Sequence, residues 1–497
     1  MNVGRHNNDM RQHSRRELWC VVLLTALFVG GNLFALIKDN YIISVVPLLV
    51  LCVVLCVVRL EYMFLGMALL TPFAVNVSLF PQMQLSLPVE PMMILFSAVF
   101  LFRIALTGAY DFRILRHPVS VMLLLSLLWM LVTSVLSQIP EVSFKYLVSR
   151  LWFVIPFFFA AVALFRNTKN IKKFYWCYVV GLVVIILIAT TKTASSFTDL
   201  KTLQTLHHVM SPFYNDHTAY GCAIALMLPM AFYMLFDAQE RRQKAWLKWC
   251  AAFLLLVGLY LSFCRAAWLS VVAAAGMYVL IRMGMKLKWM ALIAALAVGV
   301  FFAYQGDILY KLGKNHQDSS YEVGDQIKSM TNIATDASNL ERLNRWASAF
   351  RMWADHPVNG TGPGTYQFVY AGYQRSYQLS VISTNAGDNG NAHSEYIGPL
   401  CEQGVVGVAL VVIFFSVTFV TGIRVYRTAR NPHVANMALA LALSLLTYYV
   451  HGFFNNFLDT DKLSVPFWAM TAAIVALDLY ATKEEPEEQK KQLNDGV

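Results

Sequence analysis

The chain has 497 residues, of which 58% are hydrophobic and only 14% charged, and its mean hydropathy of +0.53 excludes a soluble globular protein. The formal charge of +10 lies in short basic clusters between apolar runs, where it sets membrane orientation and not nucleic-acid binding. Eight cysteines, mostly inside apolar segments and without a CxxC pair, imply neither a disulfide framework nor a metal site.

A hydrocarbon core about 30 Å thick requires roughly 20 apolar residues per helix, which yields about fourteen predicted spans. They fall near 17–37, 41–58, 62–80, 88–107, 118–138, 146–165, 173–192, 216–236, 245–263, 266–282, 288–304, 398–423, 434–453 and 464–481. The predicted fold class is therefore all-α, a polytopic transmembrane helical bundle. No small-residue cleavage site follows Arg5, Arg11, Arg15 and Arg16, so the first span is expected to be retained. Alternating the loops collects Arg59, the Arg103/Arg113/Arg116 group, Arg166 to Lys173, Arg241 to Lys248, Arg282 to Lys288 and Arg424 to Arg430 on one side, together with both termini. Short basic loops belong in the cytoplasm, so both termini are expected there and the insert between Tyr304 and His393 faces outward. The predicted organisation is eleven spans over 1–304, a large outward loop with short helices over 305–393, three spans over 394–482, and a cytoplasmic tail over 483–497 that has no apolar periodicity.

The outward side carries the candidate chemistry. Glu90 and Arg150 stand near outer helix ends, where they can line one cavity or pair with each other. The polar loop from Thr191 to His217 ends in Tyr214-Asn215-Asp216-His217, which reads either as an ordinary capped connector or as part of a site. At Ser262-Phe263-Cys264-Arg265-Ala266 the chain turns between two spans with almost no loop; an arginine there is costly unless it is interfacial or meets an anion. A helix near 339–355 opens with capping-box spacing between Ser338 and Glu341 and carries an apolar stripe, with Arg342 and Arg345 three residues apart on one face. Pro357 ends it, and Gly360-Thr361-Gly362-Pro363-Gly364 is expected to turn backbone N–H groups toward a ligand. His393 precedes the return into the bilayer, and imidazole is the side chain best suited to proton exchange near neutral pH. Arginines beside it suit a diphosphate, which guanidinium pairs bidentately. Asp459-Thr460-Asp461 imitates a metal-binding DxD pair, but its outward position reads as a hairpin loop.

Cys264-Arg265-Ala266-Ala267-Trp268, the Arg342-x-x-x-Trp346 helix with Pro357 and the three glycines, and His393-Ser394-Glu395-Tyr396 ahead of Glu402-x-Gly404-x-x-Gly407 together resemble the O-antigen ligase/polymerase superfamily of bacterial membrane glycosyltransferases. The resemblance covers about 200 residues, Tyr214 to Gly407, and implies a GT-C-like bundle in the inner membrane. It implies transfer, at the periplasmic face and without a metal or cofactor, of a glycan from undecaprenyl pyrophosphate to lipid A–core with inversion. His393 matches the family's essential histidine and Arg265 its membrane-edge arginine. A further family arginine is missing; His207 and His208 stand in that region. The substrate-binding set expected on these grounds is Arg265, Arg342, Arg345, Asn215, His217, His208 and Arg150. O-antigen polymerases and protein O-oligosaccharyltransferases share the donor and are the alternatives. A transporter would predict internal repeats and midplane charges, which the sequence lacks.

Overall fold

The computed structural model describes residues 42–80, 83–196, 210–214, 216–237, 244–286, 288–290, 337–376 and 390–482, with isolated positions between 292 and 299. The predicted spans near 17–37 and 288–304 lie wholly or largely outside these, as do the tail and about half of the insert. The chain divides into two compact units, 1–63 and 64–497. Helix α1 (Ile42–Val58) belongs to the first, and α2 (Leu60–Leu70) leads the chain into the second.

The second unit is helical: α3 (Val89–Thr107), α4 (Pro118–Val135), α5 (Pro140–Leu164), α6 (Lys169–Ser196), α7 (His217–Phe236), α8 (Ala245–Leu261), α9 (Arg265–Arg282), α10 (Ala337–Asp355), α11 (Tyr366–Val369), α12 (Ile397–Thr428), α13 (Pro432–His451) and α14 (Asp461–Ala481). Among the described residues nine helices are long and apolar enough to cross a membrane, and α8 is a shorter apolar helix, so the protein is a multi-pass, all-α membrane protein.

One expected span is corrected. Residues 62–80 do not form a single bilayer-length helix: α2 stops at Leu70, a turn of 3₁₀ helix holds Thr71–Phe73, and Val75–Phe80 (β1) pairs antiparallel with Met83–Leu87 (β2). Pro72 offers no N–H to continue the helix, and Val75-Asn76-Val77-Ser78-Leu79 alternates with the period of a strand. Ser86 Oγ donates to Asp461 Oδ2 at 2.8 Å and the Lys462 ammonium donates to Thr71 O at 2.9 Å, so this hairpin is pinned to the start of α14.

Helices α7, α13 and α14 form the centre of the bundle, with 83, 78 and 83% of their apolar windows buried, against 33% for α3 and α4. Small side chains permit that crowding where bilayer lipid gives no hydrophobic drive. Any Cβ on Gly422 of α12 would sit 2.9 Å from Ala442 of α13, and one on Gly258 of α8 would sit 2.9 Å from Ile224 of α7. Phe102, Leu106, Val272 and Phe253 point outward instead, as lipid-facing side chains must. The ends of α4, α8 and α13 and the starts of α5, α7, α9, α12 and α14 meet at one end of the bundle, and the polar groups described next lie there. At the opposite end His117 Nε2 lies 3.0 Å from Asp478 and His433 Nδ1 lies 2.6 Å from Asp237.

Candidate active site

The site is built around a short strap, residues 390–396, that brings the chain to α12. His393 N donates to Asn391 Oδ1 at 3.0 Å, and Ser394 Oγ accepts from Tyr396 N and Ile397 N at 3.2 and 3.3 Å, capping the helix that follows. His393 has φ +47°, a left-handed conformation uncommon outside glycine and one that the surrounding contacts must hold. They do so from both sides. Glu395 N donates to Gly452 O at 2.7 Å, and Glu395 Oε1 accepts from Tyr448 Oη, Phe457 N and Leu458 N at 2.6, 2.9 and 2.9 Å. Burial holds the Glu395 carboxyl above the usual range, and Asp459 adds to that push, against Arg150 and the donors from Tyr448 and Leu458.

Helix α10 grips the other end of the strap. Arg345, 6% exposed, donates from Nε to Glu341 Oε1 at 2.9 Å and from Nη1 to Asn391 O at 3.2 Å, and its guanidinium lies 5.4 Å over the Tyr370 ring. A Cβ on Gly390 would fall 1.7 Å from Arg345 Nη1, so a side chain there would displace the guanidinium from its place against the strap. The Arg345 guanidinium is thus engaged inside the fold by a carboxylate, a carbonyl and an aromatic face, while the neighbouring Arg342 is only partly buried.

Burial, then the charges of Arg342 and Arg345, pull His393 down to about 3, with Asp216 opposing. Asp216 belongs to the connector that caps α7: its Oδ1 accepts from Thr218 N and Ala219 N at 2.7 and 2.8 Å, and His217 is the first helical residue. Arg265 is the first residue of α9, partly buried. The turn before it nests against α7, where a Cβ on Gly221 would lie 2.8 Å from Cys264 Cβ, and Trp268 Nε1 donates to Leu259 O at 2.9 Å. Burial carries the Cys264 thiol up to about 11 while the Arg342 charge pulls the other way, which puts α10 and the start of α9 within electrostatic reach of each other. Arg342, Arg345, His393 and Asp216 therefore share one polar region, with Arg265 beside it. His451, the last residue of α13, is fully buried next to the strap, with Nε2 3.1 Å from Asn455 Nδ2. The sequence analysis missed it, because a histidine ending an apolar helix carries no distinguishing pattern. Asn215 and His208 lie outside the described residues.

On the other face of the strap is a cavity of about 460 Å³, lined by Ala392 and Ser394 but not by His393. Arg150 lines it. Its Nη1 donates to Leu458 O at 3.0 Å and its Nη2 to Tyr146 Oη and Asp459 Oδ1 at 2.8 and 3.1 Å. Of the two expectations for Arg150 and Glu90, lining a cavity holds for Arg150 and pairing with each other does not: Glu90 Oε2 accepts from Ser86 N at 2.8 Å. The Asp459-Thr460-Asp461 carboxylates likewise have separate partners, Arg150 for one and Ser86 for the other, and form a turn into α14. Among the described residues no group of three or more His, Cys, Asp or Glu side chains could hold a metal.

The glycine-rich loop is also corrected. Its N–H groups do not face an open ligand space: Thr361 N donates to Cys401 O, Gly362 N to Glu402 O and Gly360 N to His356 O, at 3.0, 2.8 and 3.0 Å. The reason lies in α12, which breaks at Gly404 (φ 70°, ψ −170°) and leaves the carbonyls of Cys401 and Glu402 without helical donors. The loop supplies them. Val405 N returns a bond to Pro357 O at 2.9 Å, Trp129 Nε1 caps Gln403 O at 2.9 Å, and Glu402 Oε1 accepts from Tyr366 N at 2.9 Å. Both glycine motifs are thus halves of one latch.

Residues 250–412 match the family described as O-Antigen ligase, a segment that holds Arg265, α10, the latch and His393. No curated protein matches the chain.

Proposed function

We propose, on the premise that the chain belongs to the O-antigen ligase superfamily, that it transfers an undecaprenyl-pyrophosphate-linked glycan to lipid A–core at the periplasmic face of the inner membrane. The observation that carries this reading is the placement of His393 beside Arg342 and Arg345 at one end of a membrane bundle, with Arg265 at the start of α9. Arg265 and Arg342 are assigned to the donor diphosphate, whose charge grows as the bond between the sugar's anomeric carbon and the phosphate oxygen breaks. The lipid A–core hydroxyl attacks that carbon from the opposite side, and its proton passes to His393. The polyprenyl diphosphate leaves with the bonding electrons. No nucleotide is needed, because the diphosphate ester already carries the driving free energy.

Burial and the two arginines keep His393 unprotonated but weakly basic in the unliganded protein, so the base role depends on the donor being bound. A bound diphosphate offsets Arg342 and Arg345, so imidazole basicity rises when the donor is in place. Arg345 is assigned to positioning, since its bonds to Glu341 and Asn391 hold the strap. An O-antigen polymerase would use the same donor and the same groups.

The test is a null strain complemented with wild type, His393→Ala or Arg265→Gln at matched expression and scored for polysaccharide on lipid A–core. Loss of long-chain capping with accumulated lipid-linked glycan is expected for both variants. A cap of a single repeat in the null strain would make the protein a polymerase, and an unaltered profile for His393→Ala would remove the imidazole from the mechanism.

A further inference from the structure

The transfer reading uses one face of the strap and leaves the 460 Å³ cavity on the other without a role. That cavity changes character along its length. Its polar mouth holds Glu395, Glu402 and Asp459 against the two cations Arg150 and Lys145, and Arg150 is already bonded to Asp459. Asn456 Oδ1 opens on the same space, buried and without a hydrogen-bond partner. A buried carbonyl of that kind is costly unless something donates to it. The three carboxyls already accept from Tyr448, Tyr366, Arg150 and backbone N–H groups, and the buried Asn456 carbonyl beside them suits a hydroxyl group as donor.

Farther in, the walls are Leu123, Leu127, Leu410, Val411, Phe414 and Trp468. Leu410 and Val411 lie in the part of α12 beyond its break at Gly404, about 9 Å or more along that helix, so the apolar part runs toward the bilayer interior. A chamber with an acceptor-rich mouth and an apolar depth has the shape of a sugar joined to a hydrocarbon chain.

We propose that this cavity binds a second lipid, a glycolipid whose uncharged, hydroxyl-bearing sugar sits at Asn456 and Asp459 and whose acyl chain enters between α4 and α12. This lipid is distinct from the diphosphate lipid at Arg265 and His393, and its chemistry rests on the cavity alone.

The test uses the full chain in nanodiscs and an octyl glucoside analogue with a diazirine at the end of its alkyl chain. Irradiation should label the α4 and α12 walls around Leu127, Leu410 and Val411. Unlabelled octyl glucoside should compete at least tenfold better than either octanol or farnesyl diphosphate. Val411→Trp, which fills the chamber, and Asn456→Ala, which removes the buried carbonyl, should each cut labelling at least fivefold while His393→Ala does not. Equal competition by octanol would remove the sugar site, better competition by farnesyl diphosphate would make the chamber a donor site, and undiminished labelling in both cavity variants would overturn the proposal. Labelling needs no turnover, so it separates from the transfer reading: failed complementation with intact labelling leaves the glycolipid site standing, and the reverse result leaves the transfer reading standing.

Discussion

The two faces of the strap differ in the sign of what they offer a ligand. On one, burial and then the arginines lower the proton affinity of His393; on the other, carboxyl groups and a buried amide carbonyl outnumber the cations. A few residues of backbone separate them, and that backbone is fixed by contacts from α10, α13 and the turn after it. Opposite local chemistries on a common support suit two ligands brought together, one that needs positive charge and one that donates hydrogen bonds.

The largest effect should come from removing the support of both faces at once. Gly404→Ala forces a side chain into a backbone conformation only glycine adopts and places Cβ 2.0 Å from Val358 O. A loss of about 3 kcal/mol or more is expected, seen as a collapse of the thermal melt in detergent and loss of glycan transfer. A wild-type melt would show that the latch does not hold the site.

Glu341→Gln should come next and act on the cationic face alone. It removes the carboxylate from a buried guanidinium, at a cost of about 3 kcal/mol. Because Arg345 holds the strap, transfer should fall while the glycolipid probe still labels the cavity. Equal loss of both would show that the two faces are not separable.

The smallest effect is a displaced pH profile. The folded pKa of His393, about 3, lies below the ordinary histidine value of 6.5, so the folded state binds fewer protons than the unfolded chain between those limits. Its neutral form costs no stability above pH 6.5, and stability is lost as pH falls from 6.5 toward 3. Arg342→Gln removes one cause of the depression, so the acid limb of kcat/KM should move upward in pH. An unmoved limb would separate Arg342 from His393.

Much of the bundle is legible in the sequence because bilayer-length apolar runs leave few alternatives, and the returning strap stands out because a polar insert ends there. The hairpin at 75–87 escapes the same rule: Leu, Val and Phe raise the average hydropathy while Pro72 and the alternating Asn76 and Ser78 dictate strands. His393, Arg342 and Arg265 stand out in the sequence as candidates, since such side chains are costly at a membrane edge. What Arg345 does is not, because a sequence cannot tell a guanidinium that meets substrate from one stacked on Tyr370 and tied to Glu341. The latch was hidden for a related reason. Free glycine N–H groups suit an anion or a broken helix equally, and only the fold shows that Gly404 supplies the break.

The latch joins segments made far apart in time as the ribosome works. Thr361 O accepts from Gln138 N, and Trp129 Nε1 reaches Gln403 O, a partner synthesised 274 residues later. Helices α4 and α5 must therefore enter the bilayer and wait for α12 before this end of the molecule can close, and the Glu395 clamp waits further for Tyr448 and Leu458. A nascent chain halted after α9 has its lipid-embedded pillars but no assembled centre, so competence arrives late, with the final three helices.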